Sequence, residues 1–187
     1  MTGEALPKRK RTRLEAFDYN TPGAYFITIC TQNRKNLLGK VVGGGAYDAP
    51  KMHLSADGKI VEKYIRSGDR VENVKVDKFI IMPNHIHMIL FVEDGPSRAP
   101  APTERDCVTG GPSRAPAPTN AAIPHFVSTF KRFVNRDVGG NIFQRSYHDH
   151  VIRGEADYLE IWQYIDSNAA KWAEDCFYNE AEEVENL

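Results

Sequence analysis

A chain of 187 residues, 41% hydrophobic and 26% charged, is long enough to bury the core of one ordinary domain without disulfides or a structural metal. Its formal charge of −1 excludes a global basic field, although KRKRTR at Lys8 to Arg13 opens the chain and NEAEEVENL closes it. Cys30, Cys107 and Cys176 are odd in number and far apart, which argues against a disulfide framework or a cysteine zinc site and fits a reducing cytoplasm. No apolar run approaches the ~18 residues of a membrane span, and no signal-like apolar segment follows the charged amino terminus, so no membrane partner is expected.

After a basic arm over residues 1–20, AYFITICT (Ala24 to Thr31) is rich in β-branched and aromatic residues and reads as a central first strand. KVVGGGAYDAPKMHLS gives two short extended pieces around a glycine turn, followed by a helix from about Ala56 to Arg70 capped by Ser55. VKVDKFIIMP and HIHMILFV carry the strongest strand pattern, broken at Pro83-Asn84, and are expected to pair antiparallel. From 94 to 120 the chain turns to Pro, Ala, Gly, Ser and Arg, with GPSRAPAPT starting at both Gly95 and Gly111. Such a segment has nothing to bury and reads as a disordered insertion; it lacks a P-x-x-P docking frame.

Order resumes with AAIPHFVSTFKRFVNRD, where Ile123, Phe126, Val127, Phe130, Phe133 and Val134 share one helical stripe flanked by Lys131, Arg132 and Arg136. SYHDHVIR (Ser146 to Arg153) alternates like a strand, and EADYLEIWQYIDSNAAKWAED reads as one last helix with Tyr158, Ile161, Trp162, Ile165, Ala169 and Trp172 as its buried stripe. Strand, helix, two strands, helix, strand, helix describes a single α+β domain: an antiparallel sheet with helices packed on it, of ferredoxin-like or RNA-recognition-motif-like type.

The chemistry concentrates at three places. His85 and His87 lie two apart on a strand, so their side chains share a face roughly 7 Å apart and can lean onto one divalent ion. By itself the pair is equally a core histidine beside a solvent-facing one, and two histidines without cysteine leave coordination positions open. His148 and His150 form a second such pair, read as rim or support because Asp149 makes their opposite face polar. Tyr164 projects from the edge of the last helix's stripe, one turn before Asn168. That placement suits either a surface tyrosine or a nucleophilic phenol with the Asn168 amide oxygen reaching the same ion.

FIIMPNHIHMILF, FQRSYHDHVIR and YIDSNAAKW, in that order after RLEAFDYNTPGAYFITICTQNRKNLLG, resemble the single-tyrosine HUH transposases, most closely the REP-associated tyrosine transposases. The resemblance spans most of the chain outside the proline-rich insertion and departs at Ala169, where the family commonly has proline. It implies a DNA transposase: a metal-dependent single-stranded DNA endonuclease and strand transferase with Tyr164 as nucleophile and a 5′-phosphotyrosine intermediate. His85, His87 and Asn168 would hold Mg²⁺ or Mn²⁺. Lys8, Arg9, Lys10, Arg11, Arg13, Lys131, Arg132, Arg136, His150, Arg153 and Lys171 would grip single-stranded, hairpin-containing DNA, with the protein acting as a monomer or a homodimer. Two rival readings are a DNA-binding regulator on the same fold without turnover, and a metal phosphoesterase that uses water in place of Tyr164.

Overall fold

The computed structural model describes residues 19, 21–43, 49–68, 73–93 and 121–178. Lys8, Arg9, Lys10, Arg11 and Arg13 of the basic arm, the insertion at 94–120 and Cys107 lie outside the described residues.

β1 (Gly23–Cys30) is followed by a hairpin of β2 (Gly39–Val42) and β3 (Lys51–Leu54), then α1 (Ala56–Arg66), β4 (Val74–Ile81), β5 (His85–Val92), α2 (Ala122–Val138), β6 (His148–Val151) and α3 (Glu155–Ser167). The main sheet has four strands in the order β4-β5-β1-β6, every neighbouring pair antiparallel. This is the split β-α-β arrangement of a ferredoxin-like fold, with β1 central as its composition predicts and β4 and β5 paired across the Pro83-Asn84 turn.

Strand alternation divides the sheet into two faces. Tyr25, Ile27 and Ile29 of β1 lie beside Leu90, Met88 and Ile86 of β5, and all six are at most 1% exposed. They form one apolar cluster with Val61 and Ile65 of α1 and Ile123, Phe126, Val127, Phe130 and Val134 of α2. Phe133 is half-buried and stacks on Tyr64 with ring centroids 5.8 Å apart. α1 begins where expected, its cap residue Ser55 accepting from Gly58 N at 3.0 Å, and ends at Arg66. Gly58 is needed for the helix to lie on the preceding chain, because a Cβ there would fall 2.0 Å from the Leu38 carbonyl oxygen.

β4 carries a bulge between Val76 and Lys78. Val76 pairs with Leu90 and Phe79 with Met88, so three residues of β4 span two of β5. The extra residue, Asp77, accepts a 2.7 Å hydrogen bond from the Tyr158 hydroxyl of α3.

α3 covers the other face and differs from the expected helix. It stops at Ser167, and Ala169–Glu174 continues as a tighter 3₁₀ stretch that ends in extended backbone at Asp175. Of the expected stripe, Ile165 and Trp172 are buried at 1% and 4%, whereas Trp162 is 38% exposed. Residues 169 and 172 leave the 100° wheel at the break, while Trp162, before it, lies at the edge of the packed face with its ring against the Lys78 ammonium.

Candidate active site

The sheet face under α3 holds the histidines. His85 and His87 are 0% and 2% exposed, with ring centroids 4.5 Å apart. The MPNH sequence fixes the first of them. The Asn84 side-chain nitrogen donates to the carbonyls of Phe177 at 2.7 Å and Arg34 at 3.2 Å, so its oxygen is the atom that faces His85 Nδ1 at 2.9 Å. An oxygen acceptor requires Nδ1 to carry the proton, which leaves the lone pair of His85 on Nε2. That nitrogen is buried without any hydrogen-bond partner. Asn84 itself is anchored by Thr31, whose backbone N and Oγ1 donate to the Asn84 carbonyl at 2.9 Å and 3.0 Å.

His87 Nδ1 lies 2.8 Å from Thr28 Oγ1 on β1, and its Nε2 lies 3.2 Å from the Tyr164 hydroxyl on α3. Burial lowers the pKa of both imidazoles to about 3, aided at His85 by the Arg34 guanidinium and at His87 by His85 itself. Both are therefore neutral at physiological pH, the form that binds metal.

The 3₁₀ stretch brings in residues that the sequence pattern did not reveal. Asp175 Oδ2 accepts from Asn168 Nδ2 at 3.2 Å and from the Tyr164 hydroxyl at 3.4 Å, while its Oδ1 accepts from Phe177 N at 2.7 Å. The Phe177 ring packs on His85 at 4.5 Å between centroids. In an uninterrupted helix, Asp175 would stand roughly 16 Å along the axis from Tyr164, since each residue rises 1.5 Å. The break after Ser167 is thus what delivers the carboxylate to the phenol, and periodicity could not show it.

Among the described residues, ligand atoms of His85, His87 and Asp175 all lie within 4.8 Å of one another and could hold a metal ion. The orphaned Nε2 of His85 suits such an ion, and so does the buried, unpartnered Oδ1 of Asn168. Tyr164 is 40% exposed, open to an incoming group. Burial and then the neighbouring Asp175 carboxylate push its phenol up to about 12.

The other predicted residues are dispersed. His148 and His150 are exposed at the β6 edge, on the same sheet face as His87 but apart from it, and His150 Nε2 sits 2.9 Å from Asp157. Arg153 and Lys171 are exposed on the α3 side. Lys131, Arg132 and Arg136 belong to α2, across the sheet. The Lys131 ammonium donates to the carbonyls of Gln144, Arg145 and Ser146 at 2.8, 3.4 and 3.1 Å, and burial lowers its pKa to about 8. Arg136 is paired with Asp137 at 2.9 Å.

No family model matches the chain. An "Uncharacterized protein" of Haemophilus influenzae is 31% identical over 177 residues, covering 91% of this chain and 93% of that protein. Among solved structures, that of a REP-associated tyrosine transposase bound to a REP hairpin matches with a TM-score of 0.55 at 17% identity, over 89% of this chain and 74% of the other. The chain therefore belongs to one family with the Haemophilus influenzae protein, and its fold is that of a REP-associated tyrosine transposase.

Proposed function

We propose that this protein is a transposase: a metal-dependent single-stranded DNA endonuclease and strand transferase in which Tyr164 is the nucleophile. The observation that carries the reading is the 3.2 Å approach of the Tyr164 hydroxyl to Nε2 of a buried, neutral His87, next to a His85 whose Nε2 has no partner. The fold shared with a transposase bound to a DNA hairpin supports DNA as the partner.

His85 and His87, with Asn168 Oδ1 or the Asp175 carboxylate, would hold a divalent ion such as Mg²⁺ or Mn²⁺. When bound, the ion supplies Lewis-acid polarisation of the scissile phosphate. The chain's own residues do the rest. A phenol with a pKa of about 12 is ionised at only about one part in a hundred thousand at neutral pH, so Tyr164 is a quiet nucleophile until positive charge at the histidines offsets Asp175. His87 and Asp175 orient the phenolic oxygen toward a phosphate entering from the open side. The Tyr164 oxygen bonds to phosphorus, the bond to the 3′ oxygen breaks, and overall the phenolic proton ends on that oxygen. A 5′-phosphotyrosine and a free 3′-hydroxyl result, and reversal on another strand rejoins DNA without a nucleotide cofactor. His150, Arg153 and Lys171 border the Tyr164 side, while Arg132 and Arg136 present a second basic surface on α2.

The test is incubation with Mn²⁺ and labelled hairpin-bearing single-stranded DNA, followed by a denaturing gel. A covalent protein–DNA band in the parent and its loss in Tyr164→Phe are expected. Cleavage without a band, unaffected by Tyr164→Phe, would make water the nucleophile.

A further inference from the structure

Phe26 stands at the middle of the sheet, on a strand with neighbours on both sides, yet it is only half-buried. Its partner across β5, Ile89, is fully buried, as is His87 beside it. The asymmetry follows from α3, which packs chiefly along β4 and β5 and reaches β1 and β6 mainly through Tyr164 at Phe26 and Asp157 at His150. The ring stacks on His87 at 5.1 Å and 29° and meets Tyr164 edge-on at 6.2 Å and 86°, and the residue is in register with the exposed His150 of β6. Half-buried Phe26 thus lies between exposed Tyr164 and the exposed His148 and His150 at the edge, with exposed Arg153 just beyond. The nearby carboxylate of Asp157 is engaged by His150 Nε2 and by the backbone N–H of Arg153 at 2.8 Å, which leaves the exposed Arg153 guanidinium and the His148 imidazole at this border.

A half-buried aromatic ring beside an exposed phenol, with imidazoles and a guanidinium along the neighbouring edge, suits a nucleobase attached to a phosphodiester. We infer that Phe26 is a base-stacking residue: it receives a base adjoining the phosphate presented to Tyr164, while His148, His150 and Arg153 follow the sugar-phosphate backbone toward β6. Stacking uses the face that every base has, so this contact positions the strand without reading sequence. Adjacent strands are roughly 4.8 Å apart, which places the β6 imidazoles one strand beyond the stacked base. The inference rests on the single-stranded DNA reading above.

The test uses the full chain with Mn²⁺ and fluorescein-labelled oligothymidylate in low salt, read by fluorescence anisotropy. Phe26→Leu, which keeps an apolar side chain against His87, should bind about tenfold more weakly; Phe26→Trp should bind at least as tightly as the parent. Mn²⁺ affinity measured without DNA should stay unchanged in both. A 2-aminopurine placed within the oligonucleotide should be quenched by the parent and not by Phe26→Leu. Equal binding by Phe26→Leu, or loss of its Mn²⁺ affinity, would overturn the inference by showing a ring that only packs. A parent that forms the covalent adduct while Phe26→Leu binds like it would overturn the stacking role alone. A parent that neither binds single-stranded DNA nor forms an adduct would overturn the transposase reading itself.

Discussion

Under α1 and α2 the sheet buries Tyr25, Ile27, Ile29, Ile86, Met88 and Leu90, with no carboxylate, amine or imidazole among them; under α3, at the same depth and on the same strands, it buries Thr28, His85 and His87. The first face is hydrocarbon packed on two helices. The second has few apolar anchors, among them Ile89, Ile165 and Trp172, and many hydrogen bonds that each fix a ring or an amide. One face can therefore hold the fold while the other holds buried polar groups that would be costly without their partners. Alternate residues of β5 belong to different tasks, so substitutions one position apart should fail in different ways.

The largest expected effect is chemical. Tyr164→Phe should lower adduct formation at least about a thousandfold with no change in melting temperature, whereas Tyr158→Phe, which only loses the bond to Asp77, should retain activity. On the opposite face, Phe126→Ala should cost about 3–5 kcal/mol in denaturant unfolding and leave Mn²⁺ affinity untouched. A loss of metal binding there would break the division between the faces.

Acid should act through the α3 face. In the unfolded chain both histidines titrate near ~6.5, and burial lowers them to about 3 in the fold, so between these values the unfolded state binds more protons. Their contribution is fully present above pH ~6.5 and is lost as pH falls toward 3. Between pH 7 and pH 5 this amounts to about 2 kcal/mol per histidine as an order of magnitude. The melting temperature should fall over that interval, and a His85→Gln, His87→Gln double variant should flatten the profile. Thr28→Val, which removes the hydroxyl from His87 Nδ1, should weaken Mn²⁺ binding about ten- to a hundredfold, measurable by calorimetry. Smallest should be Lys131→Met, which releases three carbonyls and should cost about 1 kcal/mol in thermal unfolding.

What the sequence disclosed and what it hid follow from the range of each interaction. The H-x-H spacing placed His85 and His87 on one strand face, and the four-residue step placed Tyr164 and Asn168 on one helix flank, because both are local periodicities. The apolar stripe of α2 was legible for the same reason. Asp175, Thr28 and Phe177 were not: Thr28 meets His87 through strand pairing across 59 residues, and Asp175 arrives through a helix break whose own residues, AAKWAE, are good helix formers. The exposure of Trp162 was likewise hidden, since a wheel ranks residues around an axis but does not say how much sheet lies beneath it.

The bulge in β4 has a further meaning when the strand is read as a frame. Val74 and Val76 occupy even positions while Phe79 and Ile81 occupy odd ones, yet all four are directed to the same side, because Asp77 is an added count in the alternation. Without it, VKVKFII would keep valine, valine, phenylalanine and isoleucine in unbroken phase. The hydrophobic frame thus does not need Asp77, whose one described link is to α3, through the Tyr158 hydroxyl. Deletion of this one residue would leave the strand's grammar regular and remove a tether of α3.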